Sequence, residues 1–167
     1  MSFSNRISQT LHEEHRTTIA LMEELEQFLQ RHQRGLMPNA SDGKVAQLLG
    51  QLANAVEAEI ERHFTFEENH LFTYLDAIGD KAIGAHLAEE HMTMRPLGQR
   101  LAALARSART AGFDANSWGE FHRLGQDFCE RMLSHVQKEE MALLPVLEES
   151  MDADAEAKLY QAYVENA

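Results

Sequence analysis

Residues 63–72, HFTFEENHLF, and residues 135–144, HVQKEEMALL, share one pattern: a histidine, a glutamate four residues on, a second glutamate beside it and, after two more residues, an apolar pair. In an α-helix this spacing sets His63 with Glu67, and His135 with Glu139, one turn apart on the same face. Those faces are otherwise hydrophobic. The stripe through the first pair reads Leu49, Leu52, Val56, Ile60, His63, Glu67, Leu71, and the stripe through the second reads Leu124, Phe128, Met132, His135, Glu139, Leu143. Ionisable groups therefore occupy positions that a helical bundle buries.

A shorter match lies upstream of each: LHEEH at 11–15 and LAEEH at 87–91. Here too a histidine interrupts an apolar stripe, His15 among Leu11, Ile19, Met22, Leu25 and Leu29, and His91 among Leu87, Met94, Leu97, Leu101 and Leu104. The chain reads as two copies of one helical hairpin. Breaker clusters at 35–43 (GLMPNASDG), Gly79-Asp80 and Gly112 delimit predicted helices over 8–34, 44–78, 80–111 and 117–149. A short amphipathic helix over 152–165 follows, through Leu159, Tyr160 and Tyr163. Thr10 with Glu13 and Ser117 with Glu120 predict capping boxes, Pro96 predicts a bend, and Pro145 predicts distortion near the end of the fourth helix. The predicted fold class is all-α: one domain over 1–167, an antiparallel up-down-up-down four-helix bundle with a short C-terminal helix.

Counting from the loops sets the histidines at one height. His15 precedes Gly35 by as many positions as His63 follows Gly43, and His91 precedes Gly112 by only one position more than His135 follows Ala115. With a constant rise per residue, His15, His63, Glu67, His91, His135 and Glu139 converge in the core. Burying an uncompensated charge costs several kcal/mol, against a total stability of roughly 5–15 kcal/mol, so these groups need a partner. A His/Glu hydrogen-bond network is one answer. A first-row transition ion, suited to imidazole nitrogen and carboxylate oxygen from facing helices, is the answer favoured by a duplicated, level set.

The remaining candidates rank below these six. His12 precedes His15 by three residues and reads as an extra ligand or as a group backing one; His70, seven residues after His63, reads as backing or lining the pocket. His86 with Glu90 has no repeat partner and reads as surface, as do His32 and His122. Glu68 and Glu140 read as solvated flanks, with Glu140 an alternative to Glu139. Cys129 and the methionines read as core packing, Met22, Met94 and Met132 near the pocket.

Other classes are excluded by composition and spacing. The chain has 15 Lys and Arg against 27 Asp and Glu, a formal charge of -12 and no basic run, which argues against a nucleic-acid partner. A single cysteine, no apolar signal core and no bilayer-length apolar stretch predict a cytoplasmic protein without a membrane partner. His12 and His15 are three residues apart, whereas the zinc-protease motif needs four. Of the two Glu-x2-His motifs that ferritin-like bundles require, only Glu67 to His70 is present, since Ala142 follows Glu139 at that spacing.

Through Glu14-His15, His63-x3-Glu67-Glu68, Glu90-His91 and His135-x3-Glu139-Glu140, the sequence resembles the haemerythrin-like family, the HHE cation-binding domain, over about residues 8–150. The resemblance implies a non-haem di-iron centre with oxo or hydroxo bridges, zinc or manganese being the alternative metals. It makes His15, His63, His91 and His135 terminal ligands and Glu67 and Glu139 bridging ones. Oxygen-carrying members have a fifth histidine on the third helix, where this chain has Leu87, and an aspartate five residues after the fourth-helix histidine, where this chain has Glu139 at four. The four-His, two-Glu set is more similar to iron-centre repair proteins and F-box iron-sensing domains. The chain is without the N-terminal cysteine domain of the former and the partner domain of the latter. The expectation is therefore a di-iron protein that binds or senses a diatomic or peroxide ligand (oxygen, nitric oxide, peroxide) or iron level. The alternatives are an enzyme of peroxide or nitric oxide turnover or of iron-centre repair, and a helical interaction module without a redox role.

Overall fold

The structure, a computed structural model, describes residues 3–33 and 35–166, with the backbone alone at Glu59. The predicted end of the first helix, at residue 34, falls outside the described residues. Among those described there are five helices and no strand. Helix α1 is Arg6–Arg31. Helix α2 spans residues 43–77 as Gly43–Asn54, Ala55–Ile60, Glu61–Phe66, Glu67–Leu71 and Phe72–Ala77 in unbroken succession, the second and fourth of these being wider π turns. Helix α3 is Lys81–Ala111. Helix α4 spans residues 115–150 as Ala115–Lys138, a π turn at Glu139–Leu143, and Leu144–Ser150. Helix α5 is Ala153–Glu165.

The helix starts differ from the predicted ones because other side chains reach the free N–H groups. Asn5 caps α1, its side chain accepting from the Ser8 N–H at 2.7 Å, so Thr10 and Glu13 lie inside the helix. A capping box does open α4, formed by Asp114 and Ser117 rather than by Ser117 and Glu120. Glycines stop α2 and α3: Gly79 at φ 87° and Gly112 at φ 78° adopt a backbone conformation that a side chain disfavours. Helix α3 runs through Pro96 without a break. The turn that this proline disturbs faces solvent, where Met92 is 74% exposed, so the freed carbonyl need not find a partner within the protein. Neither does Pro145 account for the wide turn before it, since the same turn occurs in α2, where Thr73 holds the equivalent place.

Short connections make consecutive helices antiparallel, and α2 packs on α3, α3 on α4 and α4 on α1. Helices α1 and α2 approach one another least. The apolar core is divided in two. One cluster, with Phe28, Leu49, Leu101, Trp118 and Phe128, fills the end near the 32–42 loop. The other, with Ile7, Leu11, Phe66, Leu75, Leu87 and Leu147, fills the opposite end and is covered by Leu159 of α5. Between them lies a buried polar layer. Among the described residues no helix is long and apolar enough to cross a membrane.

Candidate metal centre

Each long helix lends one histidine to the polar layer: His15 from α1, His63 from α2, His91 from α3 and His135 from α4; α2 and α4 add Glu67 and Glu139. All six are buried. Glu139 sets Oε2 2.7 Å from His15 Nε2 and 3.5 Å from His63 Nε2, and Oε1 3.0 Å from His135 Nε2. Glu67 sets Oε2 3.4 Å from His63 Nε2 and Oε1 3.3 Å from His91 Nε2. The Nε2 atoms of His91 and His135 are 3.1 Å apart. Each carboxylate therefore offers one oxygen to the His15/His63 pair and the other to the His91/His135 pair.

The two wide turns begin at these glutamates. The N–H of Phe72 bonds the Glu67 carbonyl and that of Leu144 bonds the Glu139 carbonyl, each five residues back instead of four. A turn one residue longer advances the helix face by about 100°. Glu67 continues the stripe begun by His63, while both Leu71 and Phe72 beyond it are buried; Glu139, Leu143 and Leu144 repeat the arrangement.

A second ring of carboxylates surrounds the histidines. Nδ1–H of His63 donates to Glu14 at 3.1 Å, Nδ1–H of His91 to Glu68 at 2.6 Å and Nδ1–H of His135 to Glu90 at 2.9 Å. Each such bond crosses from one helix to the next, fixing the ring so that Nε2 faces the centre. At the fourth corner Glu140 stands 3.6 Å from His15 Nδ1, beyond hydrogen-bond distance, and the same carboxylate oxygen accepts from His12 Nδ1. The outer carboxylates are held in turn. Arg95 bonds Glu68 and Lys138 bonds Glu90, whereas the Tyr163 hydroxyl of α5 donates to Glu14.

The charges favour a cation. Six carboxylates crowd this layer, and the side-chain cations bonded to them are Arg95 and Lys138, with Arg62 near Glu14. Burial pulls the His15 pKa down, but its contacts with Glu139 and Glu140 outweigh this and lift it to about 9. His63 and His135 are likewise raised against burial, by Glu67 and Glu139 for the first and chiefly by Glu139 for the second. Burial works to raise Glu139, yet contacts with Glu67, His135, His15 and His63 hold it well below the usual carboxylate range. Even so, both Glu67 carboxylate oxygens and Glu139 Oε1 are buried without a hydrogen-bond partner. Unpartnered buried oxygens beside convergent imidazole nitrogens fit a divalent or trivalent ion. Separations of 2.7–3.5 Å between neighbouring donors are compatible with the edges of a shell with bonds of about 2.1 Å.

The other candidates land elsewhere. His12 backs the site through Glu140, and His70 rests half-buried against the Phe66 ring. His86 is exposed beside Lys138. His122, expected at the surface, is buried, because its Nε2–H finds the Leu29 carbonyl at 2.9 Å; His32 is half-buried against Phe28. Glu68 and Glu140, expected as solvated flanks, are the outer carboxylates, and Glu139 rather than Glu140 points inward. Tyr163, Arg95 and Lys138 had no sequence signal. Glu14, Glu68, Glu90 and Glu140 had one: all four belong to the duplicated motifs.

The sequence profile of the hemerythrin HHE cation binding domain matches residues 6–147, and matches again over 82–165. The chain belongs to this family. The second match starts at the second hairpin, in keeping with the repeat between the two halves of the chain. As an HHE domain the protein binds metal cations, and the buried His/Glu layer is consistent with a haemerythrin-like site. Among curated proteins there is no significant match.

Proposed function

We propose that this HHE domain holds two iron ions, one at His15 and His63 and the other at His91 and His135, with Glu67 and Glu139 spanning both. We further propose that it binds a small oxidant or gas at the first of these ions. The observation that carries the reading is the division of each carboxylate: one oxygen of Glu139 lies beside His15 and the other beside His135, and Glu67 does the same for His63 and His91. Two histidines and two carboxylate oxygens leave each ion short of a full octahedral set. Iron at such positions would supply exchangeable coordination sites and a one-electron change at each ion.

The chain's own residues decide which ion is approachable. A cavity of about 300 Å³ lies among α1, α2 and α4 and includes His15, His63, His135 and Glu139 in its wall. The groove at the equivalent place between α3 and α4 is lined by charged groups such as Glu89, Asp127 and Arg131, and by none of the six donors. Both members of the His15/His63 pair line the cavity but only His135 of the other pair does, which favours ligand access on the His15/His63 side. Binding is favoured over turnover because neither His12 nor His70 lines this cavity, so neither is in place as a proton donor.

Metal analysis with optical spectra under anaerobic and oxygenated conditions tests the proposal. About two irons per chain and absorption bands that change with oxidation are expected. Stoichiometric zinc, or one ion per chain, with no optical response to oxygen overturns it.

A further inference from the structure

The cavity offers more room than a diatomic gas or hydrogen peroxide at the centre would fill. At about 30 Å³ for each water-sized group, 300 Å³ has room for about ten, where a diatomic fills one or two. Protein interiors seldom leave such space unfilled, and this volume lies at the lower end of the range for small-molecule sites. Its walls are apolar: Ile60, Phe64, Met132 and Val136 are buried around it, and Leu21 and Ala55 form the half-buried upper sides. Thr17 and Thr18 stand at the mouth, Thr17 exposed. Its acidic lining is Glu14 and Glu139, and among the described residues no lysine or arginine lines it.

In the second hairpin the equivalent space is cut off from the six donors and becomes a charged surface groove. Met94 occupies the repeat position of Thr18 and is buried. Phe128 occupies the position of Val56, and its ring lies within 3.0–3.3 Å of where a side chain on Gly98 would start. Asp127 takes the place of Ala55. In the first hairpin the smaller Thr18 and Ala55, both in the cavity wall, leave the space open, the π turn Ala55–Ile60 widens α2 beside it, and α1 and α2 pack less closely than the other neighbouring helices of the bundle. The equivalent stretch of α4 has no such turn.

We propose that this cavity binds an organic molecule with an uncharged apolar body of about ten non-hydrogen atoms and a single oxygen-bearing head, of the aralkyl alcohol or hydroperoxide class. The body lies against Phe64, Ile60 and Val136, and the head reaches the His15/His63 pair. This extends the function proposed above by naming the class of ligand that the accessible side of the centre admits.

The test is calorimetric titration of the iron-loaded protein with 2-phenyl-2-propanol, and with glycerol as a ligand of polar body. Saturable one-to-one binding of the first and none of the second is expected. Thr18→Met, which installs the residue found in the other hairpin, should weaken binding at least tenfold while iron content and helical circular dichroism stay at wild-type values. Ala55→Leu, filling the space from α2, gives the same readout should Thr18→Met fail to fold. Absence of binding by 2-phenyl-2-propanol, or binding untouched by either folded variant, overturns the proposal. Either result with two irons retained leaves the di-iron reading intact, whereas a protein that holds no iron yet binds the alcohol sinks that reading alone.

Discussion

His12 breaks the symmetry of the carboxylate ring. It takes the Glu140 oxygen that would otherwise bond His15 Nδ1, which is left buried without a partner. In the other half Ala88 stands in its place, and there the corresponding bond, His91 Nδ1–H to Glu68, is made at 2.6 Å. His12→Ala should let Glu140 close on His15. Groups that back a metal-bound histidine are worth about 10- to 100-fold in affinity, so the variant should keep two irons and hold them up to about tenfold more tightly in a chelator competition. Loss of one iron would instead make His12 a ligand. The same argument predicts that Glu68→Gln weakens iron binding by about 10- to 100-fold without loss of helix content.

At the scale of the element, α5 is more than a cover for one end of the core. It docks on α1 and on the π turn Glu67–Leu71, and its Tyr163 hydroxyl bonds Glu14, which orients His63. Arg6 adds a bond to Glu156 and lies over the Tyr160 ring, 4.4 Å from its centroid. Removing the hydroxyl in Tyr163→Phe should cost about 1 kcal/mol, because the group is only half-buried and water replaces part of the bond. In a chain of this size that lowers Tm by about 2–4 °C, measurable by calorimetry, with iron stoichiometry unchanged. An unchanged Tm would show that the Tyr163–Glu14 bond contributes nothing to the docking of α5. The wide turns at Glu67–Leu71 and Glu139–Leu143 left only a faint trace in sequence: two adjacent apolar residues, Leu71-Phe72 and Leu143-Leu144, both buried. Their cause is the need to aim a glutamate inward while keeping the next turn on the core, which no local propensity encodes.

In the whole molecule, a polar layer separates two apolar clusters, and without metal the inner carboxylates Glu67 and Glu139 face the protons on the surrounding histidines, while Arg95 and Lys138 bond the outer ring. A histidine whose pKa is raised by folding stabilises the fold below its unfolded value near 6.5, and that contribution is lost as pH rises through the folded value, about 9 for His15. Glu139 behaves oppositely, its contribution present above about 4.5 and lost as the solution becomes more acid. Metal-free protein should thus have its highest Tm between about pH 4.5 and 6.5 and lose several degrees by pH 9. Iron must displace these protons, so the Tm gained on adding it should grow over the same interval. A flat Tm between pH 6 and 9 for the metal-free chain would contradict the proton-held layer. The number of helices, their antiparallel order and the common depth of His15, His63, His91 and His135 were legible in sequence, because each rests on local periodicity and on a repeat that one chain displays against itself. Which carboxylate backs which ring, and why the space beside α1 and α2 reaches the histidines while the groove between α3 and α4 does not, were decided by the tertiary structure alone. Those outcomes depend on the spacing between helices and on side chains far apart in the chain, such as Tyr163 and Glu14, whose meeting leaves no mark on either segment by itself.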